Sequence, residues 1–168
     1  MKTDIFVAAL LALFVGCAPQ QQSDQLTQQQ KDQIKSEVKA AADSFFAKVE
    51  RLDANGALQY VGDSSNFVSY NSDGSHIDFQ TLKKASTETF ASAISFKATI
   101  QKEDFRVVTK DFVVYSRVQR AEVLLKSGDK LTSDPDAMTY LFRKIDGQWK
   151  LVYTHESETL VTQKAGKK

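Results

Sequence analysis

The chain has 168 residues, 22 basic side chains against 21 acidic ones, and a formal charge of +1. That balance, with basic residues scattered among acidic ones, argues against a nucleic-acid partner. A single cysteine excludes an intramolecular disulfide framework, so any folded domain must be held by core packing.

Lys2 gives the chain a positive start, and Ile5 to Val15 is an unbroken apolar run of 11 residues. As a helix it would rise about 1.5 Å per residue, too short for the roughly 17–25 residues that a bilayer core requires. Length and flanks fit the apolar region of a signal peptide. The run ends at Leu13-Phe14-Val15-Gly16-Cys17, where small residues precede the one cysteine. These residues resemble the lipobox of bacterial lipoproteins, although Phe14 stands where that family usually has leucine. The resemblance implies cleavage before Cys17, a diacylglyceryl group on its thiol, and residues 1–16 as signal peptide. Two or more acyl chains, at about 0.8 kcal/mol per buried CH₂, make a stable membrane anchor.

Ala18 to Gln30 holds seven glutamines and one proline. It buries too little apolar surface to offset the entropy of ordering, and residues 17–30 read as a lipidated cysteine and its tether. Ala18 is not aspartate, which by resemblance to the sorting rule of Gram-negative lipoproteins implies the outer membrane, facing the periplasm. The expected location is thus the bacterial cell envelope.

From Gln28 to Leu52, Ile34, Val38, Ala41, Ala42, Phe45, Val49 and Leu52 recur at steps of three and four, one face of a long amphipathic helix. Thr27 is placed to cap it. Asp53-Ala54-Asn55-Gly56 breaks the pattern, and Ala57 to Val61 forms a short second turn. Ser65 to Tyr70 reads as a strand closed by a turn at Asp73-Gly74. Asp78 caps a further helix through Phe79, Leu82, Phe90 and Ile94.

Beyond it the period changes to two, and strands are expected over 95–108, 112–127, 137–145 and 149–157, with hairpin turns at Ser127-Gly128-Asp129 and Asp146-Gly147. Pro135 is unsuited to a central strand, so a bend or loop is expected at Thr132 to Ala137. Helices followed by meandering strands imply an α+β domain with an antiparallel sheet, over residues 31–158, with 159–168 as a tail.

Residues 143–157, Arg143 to Ser157, carry a turn at Asp146-Gly147, then Trp149, Leu151, His155 and Ser157. Together with the element order, this closing hairpin resembles the nuclear-transport-factor-2-like superfamily in its SnoaL-like branch. The resemblance implies a cone: a curved antiparallel sheet wrapped around a long N-terminal helix, with a pocket at the wide end. It also implies that a homodimer through the sheet is in reach. The superfamily contains isomerases, dehydratases and noncatalytic binding modules, so the fold alone does not decide function.

Strict alternation along the last strand puts Trp149, Leu151, Tyr153, His155 and Ser157 on one face, expected to point inward. His155 is then a candidate ligand contact or general base, against the plainer reading of a rim histidine bonded to its neighbours. Tyr70, Tyr115 and Tyr140 are candidate donors. Glu122 is the candidate carboxylate, with pairing to Arg120 or Arg117 on the sheet surface as its ordinary alternative. His76 and His155 have no metal-ligand spacing, and nothing implies a cofactor. The expected function is a membrane-anchored, noncatalytic module for a small apolar ligand or a protein. The alternative is an acid/base isomerase or dehydratase working in the cone pocket.

Overall fold

The computed structural model describes residues 25–63 and 65–166. Cys17, the residues before it and the first part of the tether lie outside the described residues. Among the described residues, no helix is long and apolar enough to cross a membrane.

Helix α1 spans Gln28–Glu50. Thr27 caps it as expected: its hydroxyl accepts from the Gln30 amide while the Gln30 side chain accepts from the Thr27 amide, a reciprocal capping box. The predicted stripe is the face that packs, with Ile34, Val38 and Ala42 buried. Asp53 caps the short α2, Ala54–Leu58, which starts three residues earlier than the sequence pattern implied. Two short strands follow, β1 at Val68–Tyr70 and β2 at His76–Asp78, and then α3 at Phe79–Ser92, capped by Asp78.

Four long strands complete the domain: β3 at Ala93–Thr109, β4 at Phe112–Leu125, β5 at Lys130–Ile145 and β6 at Gln148–Gln163. They form a curved six-stranded sheet in the order β2-β1-β6-β5-β4-β3. The long strands pair antiparallel, as expected, but β1 pairs parallel to β6, so the sheet is mixed. Strand β6 also continues through residues read from sequence as tail. The β5–β6 turn has positive φ at both Asp146 (49°) and Gly147 (78°), the conformation that Asp-Gly hairpins favour.

Helix α1 lies against the concave face of this sheet. Val38, Val113, Phe142 and Leu151 are almost completely buried at the contact, each contributing about 1.5–3 kcal/mol of transfer free energy. Glu37 locks the narrow end, accepting from Trp149 Nε1 at 3.0 Å and from Lys144 Nζ at 2.9 Å. At the other end of the helix Phe45, Phe46 and Val49 line an open cavity, with Phe46 also packed on Tyr140 and Arg117 of the sheet.

Two irregularities decide which side chains reach that cavity. Val152 has no partner between Leu151↔Phe142 and Tyr153↔Leu141, a bulge in β6. Asp134 and Pro135 lie unpaired between Ser133 and Asp136, a bulge in β5. The bend expected around Pro135 is therefore present inside a continuous central strand, where the unpaired position accommodates a residue without an N–H. Because side chains alternate with period two, each bulge exchanges the inner and outer faces of everything beyond it.

Candidate functional site

The concave face of β4, β5 and β6 is a grid of cross-strand rows set by the register. From the narrow end these are Val113/Phe142/Leu151, Tyr115/Tyr140/Thr154, Arg117/Met138/Glu156, Gln119/Asp136/Glu158 and Ala121/Ser133/Leu160. The first row is core, and the third and fourth form a polar belt. The last stands at the mouth and adds the buried Ser133 between Ala121 and Leu160. Without the bulge at Val152, Glu156 and Glu158 would face outward. Without the one at Asp134-Pro135, so would Ser133 and Leu131.

A cavity of about 440 Å³ occupies the space between this grid, the end of α1 and α3. Phe45, Phe46, Phe67, Phe96, Leu82 and Leu131 supply much of its apolar wall. Its size and lining suit a small organic molecule.

Within the belt, Arg117 is 3 % exposed and its guanidinium lies 3.8 Å from the Phe46 ring centroid. A desolvated cation over an aromatic face gains about 2 kcal/mol. Among the described residues Arg117 forms no ion pair within 4 Å, and its Nε has no hydrogen-bond partner. Gln119 donates from Nε2 to Asp136 Oδ2, leaving Gln119 Oε1 and Asp136 Oδ1 unpartnered; Ser133 Oγ is unpartnered as well. All four of these residues are more than nine-tenths buried and line the cavity. Buried polar groups are nearly always satisfied, so a concentration of orphans on one wall marks where a ligand's polar groups would be met.

Three carboxylates complete the belt. Asp136 and Glu158 are direct cross-strand partners, Glu156 is two residues from Glu158, and one oxygen from each lies within 4.8 Å of the others. Burial raises the Asp136 carboxyl above its ordinary range, opposed by the Gln119 hydrogen bond and the Arg117 charge. Glu156 is pushed up to about 7, first by burial and then by the charges of Glu158 and Asp136. Burial likewise raises the Tyr140 hydroxyl.

The site expected from sequence is largely elsewhere. Of its candidates only Tyr140 lines the cavity. His155 is exposed on the outer face, paired with Thr139 and Tyr70, because the Val152 bulge reverses the alternation that had turned it inward. Ser157 moves outward with it. Tyr153 and Tyr70 also lie outside the cavity, their rings 5.9 Å apart.

Tyr115 is inward but belongs to the core, stacked 4.2 Å from Phe105 with its hydroxyl donating to Glu103. Burial pushes that hydroxyl up to about 12. Glu122 takes its ordinary alternative, pairing on the outer face with Arg120 at 3.3 Å and with Lys130. Arg117, the other partner considered for it, is on the opposite face. The residues that sequence reasoning missed carry one visible signal: acidic side chains at 156 and 158, spaced by two on a strand, must share a face.

A SnoaL-like domain model matches residues 38–162, most of the chain. The chain belongs to the SnoaL-like family. A comparison with curated proteins finds no match.

Among solved structures, the SnoaL-like domain is similar to a nuclear transport factor 2-like superfamily protein from Salmonella enterica serovar Typhimurium, with 13 % identity and a TM-score of 0.67, covering 76 % of this chain and 92 % of that one. A proposed dehydratase of the same superfamily from Streptomyces avermitilis has 14 % identity and a TM-score of 0.66, with coverages of 77 % and 99 %. A ketosteroid isomerase-like protein from Erwinia carotovora atroseptica has 15 % identity and a TM-score of 0.61, with coverages of 73 % and 94 %. At these identities the likeness establishes the fold.

Proposed function

We propose that this SnoaL-like domain is a membrane-anchored envelope module whose cone pocket binds a small, mostly apolar molecule bearing polar groups. One observation carries the pocket reading: an open apolar cavity of about 440 Å³ with unpartnered, deeply buried polar atoms of Arg117, Gln119, Ser133 and Asp136 on one wall. An apolar body gains from burial among the phenylalanines, and the polar belt fixes its orientation. Anchoring rests on the lipobox-like residues ending at Cys17.

Filling the mouth tests the pocket. Ala121 lines it and is only part-buried, so Ala121→Trp should occupy ligand space while leaving the sheet paired. The expected result is at least about a tenfold loss of affinity for an apolar fluorescent probe, or about 1.4 kcal/mol, with unchanged circular dichroism. Probe binding untouched by the tryptophan would place the ligand elsewhere. Native mass spectrometry of the purified wild-type chain would identify any molecule carried through purification.

A second reading, acid/base isomerase or dehydratase chemistry, is favoured by the meeting of carboxylates and the Tyr140 hydroxyl in one apolar cavity. The proposed dehydratase and the isomerase-like protein among its structural relatives support it by analogy of fold only. Asp136→Asn would then abolish turnover of a substrate while leaving its binding within a few-fold, whereas a pure binding module would show no turnover to lose.

A further inference from the structure

Asp136 and Glu158 stand directly opposite one another across the β5–β6 ladder, and Glu156 lies on the same face two residues away. Like charges in that relation destabilise a sheet. No lysine or arginine pairs with any of the three within 4 Å among the described residues. Elsewhere on this sheet Glu122 has Arg120 and Lys130, and Asp134 has Arg120. The inner cluster has no such partner, and it is the inner cluster that faces an open cavity.

A second observation is independent of the carboxylate charge. Gln119, in the same cross-strand row as Asp136 and Glu158, is 4 % exposed, and its Oε1 has no partner. Its amide nitrogen is committed to Asp136 Oδ2, which leaves the carbonyl oxygen as a neutral donor beside the cluster. Asp136 Oδ1 is buried and unpartnered too. The donors gathered here are carboxylates and an amide carbonyl, with no histidine or thiol in the cavity wall and the Met138 thioether as its one sulfur. Such a donor set selects hard divalent cations over zinc or copper. A carboxylate oxygen from each residue within 4.8 Å of the others is the spacing expected around a calcium-sized ion, where oxygens on opposite sides at about 2.3–2.6 Å each stand about 4.6–5.2 Å apart.

We propose that Asp136, Glu156 and Glu158, with Gln119 Oε1 as a neutral donor, form a divalent-cation site of the calcium class in the polar belt of the cone. The ion neutralises the facing carboxylates and leaves coordination positions open toward the cavity. A ligand bearing carboxylate, phosphate or chelating hydroxyl oxygens would complete them. No organic ligand is needed for the ion itself to bind.

The test is isothermal titration calorimetry of calcium into the full chain stripped with a chelator, and of magnesium as a comparison. The expected result is one calcium per chain with Kd on the order of 10⁻³ M or tighter, magnesium weaker, and a calcium-dependent rise in Tm. Glu156→Gln with Glu158→Gln keeps shape and removes repulsion. The double variant should fold, be at least as stable as wild type in chelator, and bind calcium at least about tenfold more weakly. Absence of saturable binding up to about 10 mM, beyond the weakest calcium modules, would overturn the site. So would undiminished binding by the double variant, which would assign calcium to other surface acids. Apolar-probe binding in chelator reports the pocket alone, so loss of the cation site and loss of the pocket are read separately.

Discussion

Glu156 and Glu37 are both half-buried glutamates on or against the same sheet, yet their surroundings push them in opposite directions. Glu37 accepts from Trp149 and from Lys144, and those bonds hold it below its ordinary range. Its contribution is present above the unfolded value near 4.5 and is lost as pH falls through the lower folded value. Glu156 has burial and two negative neighbours, and is raised from 4.5 to about 7. Between those values the folded state holds a proton that the unfolded chain has released. Stability therefore falls as pH rises from about 4.5 toward 7 and is level above.

In chelator, wild type should lose on the order of 1–3 kcal/mol from this group across that interval, the range allowing for its partial solvent contact. Glu156→Gln should abolish that slope, making the variant the more stable protein at about pH 8. Urea titrations at a series of pH values measure it; parallel profiles for the two chains would show that the charge on Glu156 costs nothing.

At the scale of elements, single unpaired residues determine which chemistry faces inward. Val152 is an ordinary strand residue with a buried side chain, and nothing in its identity announces that it is the extra one. Deleting it would make Leu151↔Phe142 and Tyr153↔Leu141 consecutive rows, so Thr154, Glu156 and Glu158 would keep the inner face and His155 and Ser157 the outer one. The cost is then the lost burial of one valine side chain, about 1.5–3 kcal/mol. Chemical denaturation reads the cost, and apolar-probe binding within a few-fold of wild type would show the belt still in place. Loss of probe binding by a folded deletion variant would mean that the strand had slipped to another register instead.

The same feature separates what the sequence discloses from what it hides. Helix α1 was legible because Ile34, Val38, Ala42 and Phe45 repeat at a local spacing, and the last hairpin because Asp146-Gly147 demands positive φ. Pro135 announced an irregularity without its sense. The inner face of β6 was misread beyond Leu151 because a period-two reading has no term for a residue that the neighbouring strand skips. Parallel pairing of β1 with β6 joins residues more than 80 positions apart, and local pattern carries no record of it.

For the whole molecule, the direction of α1 relates the proposed anchor to the pocket. Glu37, in the first half of the helix, is fastened to Trp149 at the narrow end, while Phe45, Phe46 and Val49, near its C-terminus, line the cavity. The chain therefore enters the domain at the end opposite the opening. With the proposed lipid on Cys17, the short tether would hold the closed end nearest the bilayer and turn the mouth away from it. A ligand would then enter from the aqueous side, and anchoring would leave affinity alone.

Wild-type chain should carry a lipid adduct by intact mass and sediment with membranes, whereas Cys17→Ser should carry none and partition differently. The apolar probe should bind lipidated protein on vesicles and the Cys17→Ser chain in solution with Kd values within about threefold, a difference below about 0.7 kcal/mol. An unmodified wild-type cysteine would remove the anchor. Strong weakening on vesicles would instead mean that the mouth lies against the membrane, and that the helix does not set the orientation as its end-to-end contacts imply.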